Sequence, residues 1–216
     1  MTTRIAKLVS LVPSVNTLAD GGCDHGYVGI EALKLGRARR VVFVDISQPS
    51  LEKARENCPE GLKTQAEFVC RDGLGNVEVD CAVIAGMGGL EIISILEGAT
   101  ALPDKLVLQP MRNQRDVRKY LQSNYELILD EKFFDGKYYD VIVATLSANP
   151  SKLTELELEY GKTNLEHPSS DFASYLIKES MKIKNYPIYP DDDKLQAKVE
   201  LMEKMLAEYF ATGKIQ

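Results

Sequence analysis

The sequence predicts an α/β fold, a doubly wound and mostly parallel sheet of seven strands followed by a helical hairpin or coiled coil. Three observations carry this prediction: short apolar runs alternate with amphipathic stretches up to about Asn149, an Asp-Gly turn then joins two longer apolar runs, and only helical periodicity follows. We therefore expect a sheet domain over residues 1–149 and a helical domain over residues 150–216.

Five short apolar runs have the composition of parallel strands that are buried on both faces. They are Thr17–Asp20, Val41–Asp45, Glu67–Cys70, Cys81–Ala85 and Leu106–Gln109. Amphipathic stretches follow them and predict the helices that cover the sheet. These are Val28–Leu35, Pro49–Asn57, Gly89–Glu97 and Asn113–Gln122. Leu127–Phe134 and Tyr138–Leu146 flank the turn Asp135–Gly136, which predicts a terminal antiparallel hairpin.

Two more helices are predicted after residue 150. Ser170–Lys184 and Asp193–Phe210 are separated by the stretch Asn185–Asp192, which contains two prolines. Apolar side chains recur in the second helix at spacings of four and three, and they are Leu195, Val199, Met202, Leu206 and Tyr209. The preceding helix most simply fills this seam as an antiparallel partner. A plain helical hairpin without a ligand of its own is the default interpretation.

The composition excludes several classes of protein. The 216 residues are 44% hydrophobic and 27% charged, and no segment reaches the ~18 apolar residues of a membrane span. The N-terminus lacks a secretory pattern, and the four cysteines form no CxxC pair. Because the chain has only two histidines and no CxxC pair, we expect no metal site. The lack of a long apolar segment predicts no membrane partner. The widely spaced cysteines predict reduced thiols in a cytoplasmic protein.

A net charge of −6 argues by itself against a nucleic-acid partner, because neutralising phosphates supplies much of such affinity. The positive charge is nevertheless concentrated in two places, which leaves a local basic face possible. The clustered residues are Lys34, Arg37, Arg39, Arg40, and Arg112, Arg115, Arg118, Lys119.

Ligands of open parallel sheets bind beyond the carboxyl ends of the strands, and the first run is followed there by Asp20–Gly26. Its glycines allow a tight turn and a close approach to the backbone. Its aspartates would repel a pyrophosphate, at about 4 kcal/mol for each contact at ~4 Å and an effective dielectric near 20. S-adenosylmethionine has no phosphate and carries two cationic groups, so an acidic loop suits it. Alternatively, Asp20 and Asp24 only cap the following helix.

Further candidate residues follow the next strands. Asp45 ends the second run, 25 residues after Asp20, where a carboxylate can accept both ribose hydroxyls. Asp72 could accept from the adenine amine, or it could be a simple turn residue. Ala85–Gly89 contains three glycines, which indicates a close approach to the backbone. The expected cofactor-binding residues are Asp20, Gly21, Gly22, Gly26, Asp45, Ile46, Asp72, Gly73, Gly86, Met87 and Gly88.

Four motifs occur in order, and they are Asp20-x-Gly22-x-Asp24-His25-Gly26-Tyr27, Ala85–Gly89, Leu108–Met111, and Tyr160-Gly161 with Asn164-Leu165. Together they resemble the bacterial tRNA (adenine(22)-N(1))-methyltransferase family, class I enzymes with a Rossmann-like domain and a C-terminal coiled coil. The likeness extends from Arg4 into the C-terminal helices. Family members often carry Gly-Glu-Val where this chain has Val44–Ile46, and aspartate for glutamate keeps the ribose acceptor.

The resemblance implies methylation of N1 of adenine 22, on the D-arm side of tRNA, with S-adenosylmethionine as the cofactor. Adenine N1 reacts through its own lone pair, so carboxylates and neutral acceptors are the useful neighbours. We expect Asp24 and His25 beside the sulfonium, Tyr27 against the base and Gln109 at its Watson–Crick edge. Capping of the helix start is the alternative for His25. The expected tRNA contacts are Arg4, Arg37, Arg39, Arg40, Arg112, Arg115 and Arg118.

Two other functions stay open from the residues alone, a methyltransferase with a small-molecule acceptor and a non-catalytic RNA-binding module. The second has no use for acidic strand ends such as Asp20 and Asp45. Measuring methyl incorporation into bulk tRNA and into a metabolite panel distinguishes a small-molecule methyltransferase from the tRNA enzyme. The oligomeric state is also open, with a monomer favoured.

Overall fold

The computed structural model describes residues 2–214 and confirms the doubly wound sheet. The sheet has the strand order β3-β2-β1-β4-β5-β7-β6, and β7 runs antiparallel to both of its neighbours. The strands are β1 (Val15–Gly21), β2 (Ala38–Asp45), β3 (Ala66–Cys70), β4 (Cys81–Met87), β5 (Lys105–Pro110), β6 (Tyr125–Asp135) and β7 (Lys137–Leu146). The hairpin predicted around Asp135–Gly136 is the β6–β7 pair, and it closes the sheet beside β5.

Helices cover both faces of the sheet and form the C-terminal part of the chain. They are α1 (Thr3–Leu11), α2 (Tyr27–Lys34), α3 (Gln48–Asn57), α4 (Gly89–Glu97), α5 (Gln114–Leu121), α6 (Glu155–Tyr160), α7 (Lys162–Glu166), α8 (Ser170–Lys184) and α9 (Asp193–Ala211). Short 3-10 helices span Glu60–Gln65 and Tyr189–Asp191. No helix within residues 2–214 has the length and apolar character needed to cross a membrane.

Two hydrophobic layers sandwich the sheet. On one face, Leu8 of α1 and Leu51 of α3 pack with Phe43 of β2. On the other face, Ile92 of α4 and Val117 of α5 pack on β4 and β5. The sequence prediction missed α1, which Thr2 caps by accepting a hydrogen bond from the backbone of the first turn. It also missed α6 and α7, because helices of six and five residues are too short to show a period.

The predicted helical hairpin is formed by α8 and α9. Phe172 at the start of α8 contacts Tyr209 near the end of α9, so the two helices run antiparallel. Val199 and Met202 of the predicted seam are buried in the core of this pair. Tyr160 of α6 belongs to the same core, so α8 and α9 pack together with the segment before them.

Buried charges join α5 to the β6–β7 hairpin. The guanidinium of Arg118 is 1% exposed, and its Nε and Nη2 lie 2.7 and 2.9 Å from the two carboxylate oxygens of Asp130. Nη2 also donates to Asp140 at 3.0 Å, and Nη1 donates to the carbonyl of Leu158 at 3.2 Å. The prediction that Arg118 contacts tRNA is therefore wrong, since the sheet and α6 enclose its charge.

The segment after residue 150 is fastened to the outer strand β6. Asn164 is buried, and its Oδ1 accepts from the backbone N–H of Lys132 at 2.9 Å. Gly161 has a φ of +90°, and a Cβ there would lie 2.7 Å from Asp130 Oδ1. The Tyr160-Gly161 and Asn164 motif thus serves to cover the edge strand, which would otherwise expose unpaired backbone groups.

We expect Arg118→Ala to lower the free energy of unfolding by about 3–5 kcal/mol, because it leaves two buried carboxylates short of a partner. Arg115→Ala is the matched control on the same helix, since its pair with Glu155 is exposed. Urea unfolding followed by circular dichroism measures both variants. Equal stability of the two variants would contradict the role assigned to the buried cluster.

Candidate active site

The loop after β1 turns back sharply at the carboxyl edge of the sheet. Gly22 and Gly26 have φ angles of +66° and +70°, and the N–H of Gly22 donates to the carbonyl of Val44 at 2.8 Å. A Cβ at Gly22 would overlap the methyl group of Met87, and one at Gly26 would lie 2.9 Å from Ala54 Cβ. Both positions therefore favour glycine for conformation, and Gly26 also requires it for space, whereas the flexible Met87 side chain near Gly22 can move.

Asp20 lies at the base of this loop, and it is nearly fully buried. Its Oδ2 accepts from the N–H of Gly29 in the first turn of α2 at 2.8 Å, which is the capping role considered as the alternative. Burial raises the pKa of Asp20 to about 7, partly offset by the Gly29 hydrogen bond and reinforced by the charge of Asp45. Asp20 also lines a cavity at this edge, so capping does not exhaust its contacts.

Asp45 at the end of β2 holds the glycine loop in place. Its Oδ2 accepts from the backbone N–H of Asp24 at 3.0 Å, and its Oδ1 accepts from that of Ser47 at 2.8 Å. A carboxylate has about four lone-pair sites, so both oxygens can still accept a further hydrogen bond. The residue predicted to bind ribose hydroxyls therefore also sets the conformation of the loop.

Two cavities meet at Gly22 and Met87, which line both of them. The first, called the Asp45 cavity, has a volume of about 310 Å³. The predicted residues that line it are Gly21, Gly22, Asp45, Ile46, Asp72, Gly73 and Met87. Its charged lining consists of Asp45, Asp72 and Glu91 with a single cation, Arg71, so it is acidic.

The second cavity, called the Asp24 cavity, also has a volume of about 310 Å³. The predicted residues that line it are Arg4, Asp20, Gly22, Asp24, His25, Tyr27, Gly86 and Met87. His25 Nδ1 lies 2.6 Å from Asp24 Oδ2, and the imidazole stacks on the Tyr27 ring with centroids 5.3 Å apart. Tyr27 is 55% exposed and also borders a larger cavity between α1 and α2. An Asp-His-Tyr cluster therefore lines the Asp24 cavity.

Gln109 lies behind the Asp24 cavity and contributes no surface to either cavity. It is fully buried at the end of β5, its Oε1 accepts from Arg4 Nη1 at 3.3 Å, and its Nε2 lies 3.1 Å from Met111 Sδ. The structure thus places the Arg4 guanidinium, rather than the Gln109 amide, at the cavity wall. Contact of Gln109 with a base stays a prediction, and it requires these two hydrogen bonds to be exchanged.

The glycine turn after β4 brings Arg112 to the same edge. The N–H of Gly88 donates to Glu91 Oε2 at 2.6 Å, and a Cβ on Gly89 would lie 2.7 Å from the carbonyl oxygen of Arg112. Gly26 and Gly88 line neither cavity, so their predicted contact with the cofactor stays untested. The Arg112 side chain is 74% exposed. Its Nη2 makes only a loose contact with Glu91 Oε1, at 3.9 Å, so the guanidinium remains accessible to an anion.

The other basic cluster lies at the opposite edge of the sheet. Arg39 and Arg40 are near the amino end of β2, whereas Asp45 is at its carboxyl end. Asp45 lies five residue steps along the strand from Arg40, which is roughly 16 Å at ~3.3 Å per residue. Arg40 pairs with Glu67, and Arg37 donates to the carbonyl of Val12. The structure therefore does not bring Arg37, Arg39 and Arg40 together with Arg112 and Arg115.

Sequence reasoning missed five residues of the Asp45 cavity, the charged Arg71 and Glu91 and the apolar Val44, Leu74 and Ile95. Glu91 could have been found, because an acidic residue three positions after a helix N-cap commonly bonds back to the cap backbone. Within residues 2–214, no group of three histidine, cysteine or acidic side chains is placed to hold a metal ion.

Known proteins resemble this chain in both sequence and structure. Residues 1–142 match the family described as a methyltransferase domain. The tRNA (adenine(22)-N(1))-methyltransferase of Bacillus subtilis is 30% identical over 170 residues, which cover 74% of this chain and 71% of that protein. Streptococcus pneumoniae Sp1610 in complex with S-adenosyl-L-methionine superimposes with a TM-score of 0.83, at 25% identity, over 95% of this chain and all of that one.

A second solved structure shares the fold. TrmK from M. capricolum, in complex with S-adenosyl-homocysteine, has a TM-score of 0.81 at 24% identity and covers 95% of this chain and 96% of its own. The likeness in these structures includes the C-terminal helices, because almost the whole chain is covered.

We expect the free energy of unfolding of the parent to fall, relative to Asp20→Asn, as the pH rises from about 4 to about 7. A carboxyl whose pKa is raised by folding binds its proton more tightly in the folded state, so ionisation costs stability over this window. Below it both states are protonated, and above it the full cost is present. Urea unfolding at several pH values, without cofactor, measures the difference, and a pH-independent difference would contradict the raised pKa.

Proposed function

Since the chain belongs to the tRNA (adenine(22)-N(1))-methyltransferase family, we propose that it transfers the methyl group of S-adenosylmethionine to N1 of adenine 22 in tRNA. One observation carries the proposal at the level of the site. An acid-lined cavity and a cavity with an Asp-His-Tyr cluster meet at Gly22 and Met87, as donor and acceptor binding sites must.

The Asp45 cavity fits S-adenosylmethionine in charge. Asp45 accepts the ribose hydroxyls with the lone pairs that Asp24 and Ser47 leave free. Ile46 is exposed beside it and offers an apolar surface to the adenine. The acidic lining favours a cation and disfavours a phosphate. The proposed cofactor contacts are Asp20, Gly21, Gly22, Gly26, Asp45, Ile46, Asp72, Gly73, Gly86, Met87 and Gly88.

S-adenosylmethionine supplies an electrophilic methyl group on a positively charged sulfur. Adenine N1 has a free lone pair, so no residue has to remove a proton before the new C–N bond forms. As the bond between the methyl group and sulfur breaks, the sulfur would leave as a neutral thioether and the positive charge would pass to the ring, where the carboxylate of Asp24 would stabilise it. Tyr27 holds the base by stacking, since its ring is exposed and is itself backed by His25. The chain's main contribution is alignment, which can lower a barrier by about 7–11 kcal/mol.

The proposed tRNA surface is the carboxyl edge of the sheet around the Asp24 cavity. Arg112 is accessible there, Arg115 follows on α5, and Arg4 lines the cavity itself. The α8–α9 pair extends this surface, since one small domain covers little of a folded tRNA. We place the protein in the cytoplasm, in agreement with its four unpaired cysteines, and propose that it acts as a monomer without a metal ion.

Purified protein should incorporate labelled methyl groups into unmodified tRNA as 1-methyladenosine, and substitution of adenine 22 by guanine in the RNA should abolish incorporation. Asp45→Ala should weaken cofactor binding by roughly ten- to a hundredfold, as loss of a charge-assisted hydrogen bond of about 1.5–3 kcal/mol implies. Mass spectrometry of RNA digests and calorimetry measure the two effects. Methylation of a metabolite but not of tRNA would refute the proposed acceptor.

Arg112→Gln should weaken tRNA binding uniformly across sequences and reduce the dependence of log K on log[salt] by about 1, because one phosphate contact is lost. Arg40→Gln is the matched control at the opposite edge of the sheet and should leave binding unchanged. Fluorescence anisotropy over a range of salt concentrations measures both. A larger loss for Arg40→Gln would move the tRNA surface to the other edge.

A further inference from the structure

The tip of the β6–β7 hairpin presents two aromatic rings and a cation to solvent. Phe134 and Tyr138 face each other across the turn, with ring centroids 5.1 Å apart and planes inclined by 59°. Lys178 of α8 reaches over them, with its Nζ 5.0 Å from the Phe134 centroid and 5.2 Å from that of Tyr138. We call these three side chains the hairpin-tip platform. Phe134 is 43% exposed, so the platform leaves apolar surface unburied.

The platform is held rigidly by the elements behind it. The backbone N–H of Phe134 donates to Asp171 Oδ2 at 2.9 Å, which ties β6 to the first turn of α8. Tyr138 packs edge-on against the ring of Tyr175, with centroids 5.5 Å apart. Both rings are therefore oriented before any partner arrives, which reduces the entropy lost on binding.

The platform is connected to the Asp24 cavity through Asp135 and Arg4. Asp135, adjacent to Phe134 in the chain, accepts a hydrogen bond from the backbone N–H of Arg4 at 2.9 Å, and the side chain of Arg4 lines that cavity. On its other side, Tyr138 shares a cavity of about 280 Å³ with Arg115. Arg4 and Asp135 thus connect the Asp24 cavity to the hairpin tip, and a second cavity connects the platform to α5.

Two lysines at the platform can bind an anionic group. The carboxylates of Asp135 and Asp171 are also near it, and they are held by hydrogen bonds from backbone N–H groups. Lys178 and Lys137 are exposed, and both hold their ammonium groups near aromatic rings. Aromatic faces combined with mobile cations are the means by which proteins bind single-stranded nucleic acid, with bases on the rings and phosphates on the cations.

We propose that the hairpin-tip platform binds an unpaired nucleobase of the RNA close to the methylated adenosine, an inference that rests on the proposed function. Extraction of the target base from its stack leaves its neighbours without a stacking partner. Phe134 and Tyr138 supply a replacement surface, and Lys178 moves from the rings to the adjacent phosphate. The platform then selects RNA whose strand is open beside the target.

The test compares Phe134→Ala with Phe134→Trp, and uses Tyr186→Ala, an exposed aromatic residue beyond the far end of α8, as the control. Loss of one stacked base predicts tRNA binding weaker by about five- to 150-fold for Phe134→Ala. The tryptophan variant and the control should bind tRNA like the parent. Fluorescence anisotropy with unmodified tRNA measures affinity, and steady-state kinetics should show the loss in KM rather than in kcat.

Calorimetry with S-adenosylmethionine and a melting curve should show all three variants close to the parent, which separates stacking from folding. Lys178→Gln should reduce the salt dependence of log K by about 1. Parental tRNA affinity in Phe134→Ala would overturn the platform while leaving methylation of tRNA intact. A tryptophan variant as weak as the alanine variant would overturn it as well. Failure of the parent to methylate tRNA would instead refute the proposed function.

Discussion

The arrangement of the chain depends on the buried hydrogen bonds and ion pairs of the Arg118 guanidinium. This group has five N–H donors in a fixed plane, and its partners come from three separate parts of the fold. Asp130 lies on β6, Asp140 lies on β7, and the carbonyls of Leu158 and Glu159 end α6. Lys132 completes the group by pairing with Asp140. Because charges taken out of water must be paired, α5, the hairpin and the C-terminal segment hold one relative position.

That position matters because α5 begins at the edge where the two cavities meet. The turn before α5 packs against Gly88 and Gly89, so the glycine turn after β4 and the start of α5 fix each other. Asp45 does the same for the loop after β1 by accepting from the N–H of Asp24. Hydrogen bonds and close glycine contacts thus set the shape of the site with little help from long side chains. An acidic lining on this rigid backbone suits a cationic methyl donor.

A protein with a net negative charge can bind RNA through a surface on which its positive side chains are concentrated. Arg4 and Arg112 lie at the carboxyl edge, and Lys178 adds a cation on the hairpin tip. Arg40, by contrast, is paired with Glu67 at the other edge. The proposed tRNA surface therefore depends on local charge at the carboxyl edge and not on the net charge of the protein. Aromatic side chains accompany the cations there, as Tyr27 and Phe134 do.

The sheet and the residues at its carboxyl edge could be predicted from the sequence, because both depend on local patterns. Apolar runs and turn residues repeat over short distances, and the carboxyl ends of parallel strands meet at one edge by geometry alone, which placed Asp20, Asp45 and Gly86 correctly around two cavities. The fate of single side chains was decided only by tertiary packing. Arg115 and Arg118 look alike in the sequence, yet one is exposed and the other is enclosed by β6, β7 and α6. A local sequence pattern does not show which elements bury a residue, because those elements come from distant parts of the chain.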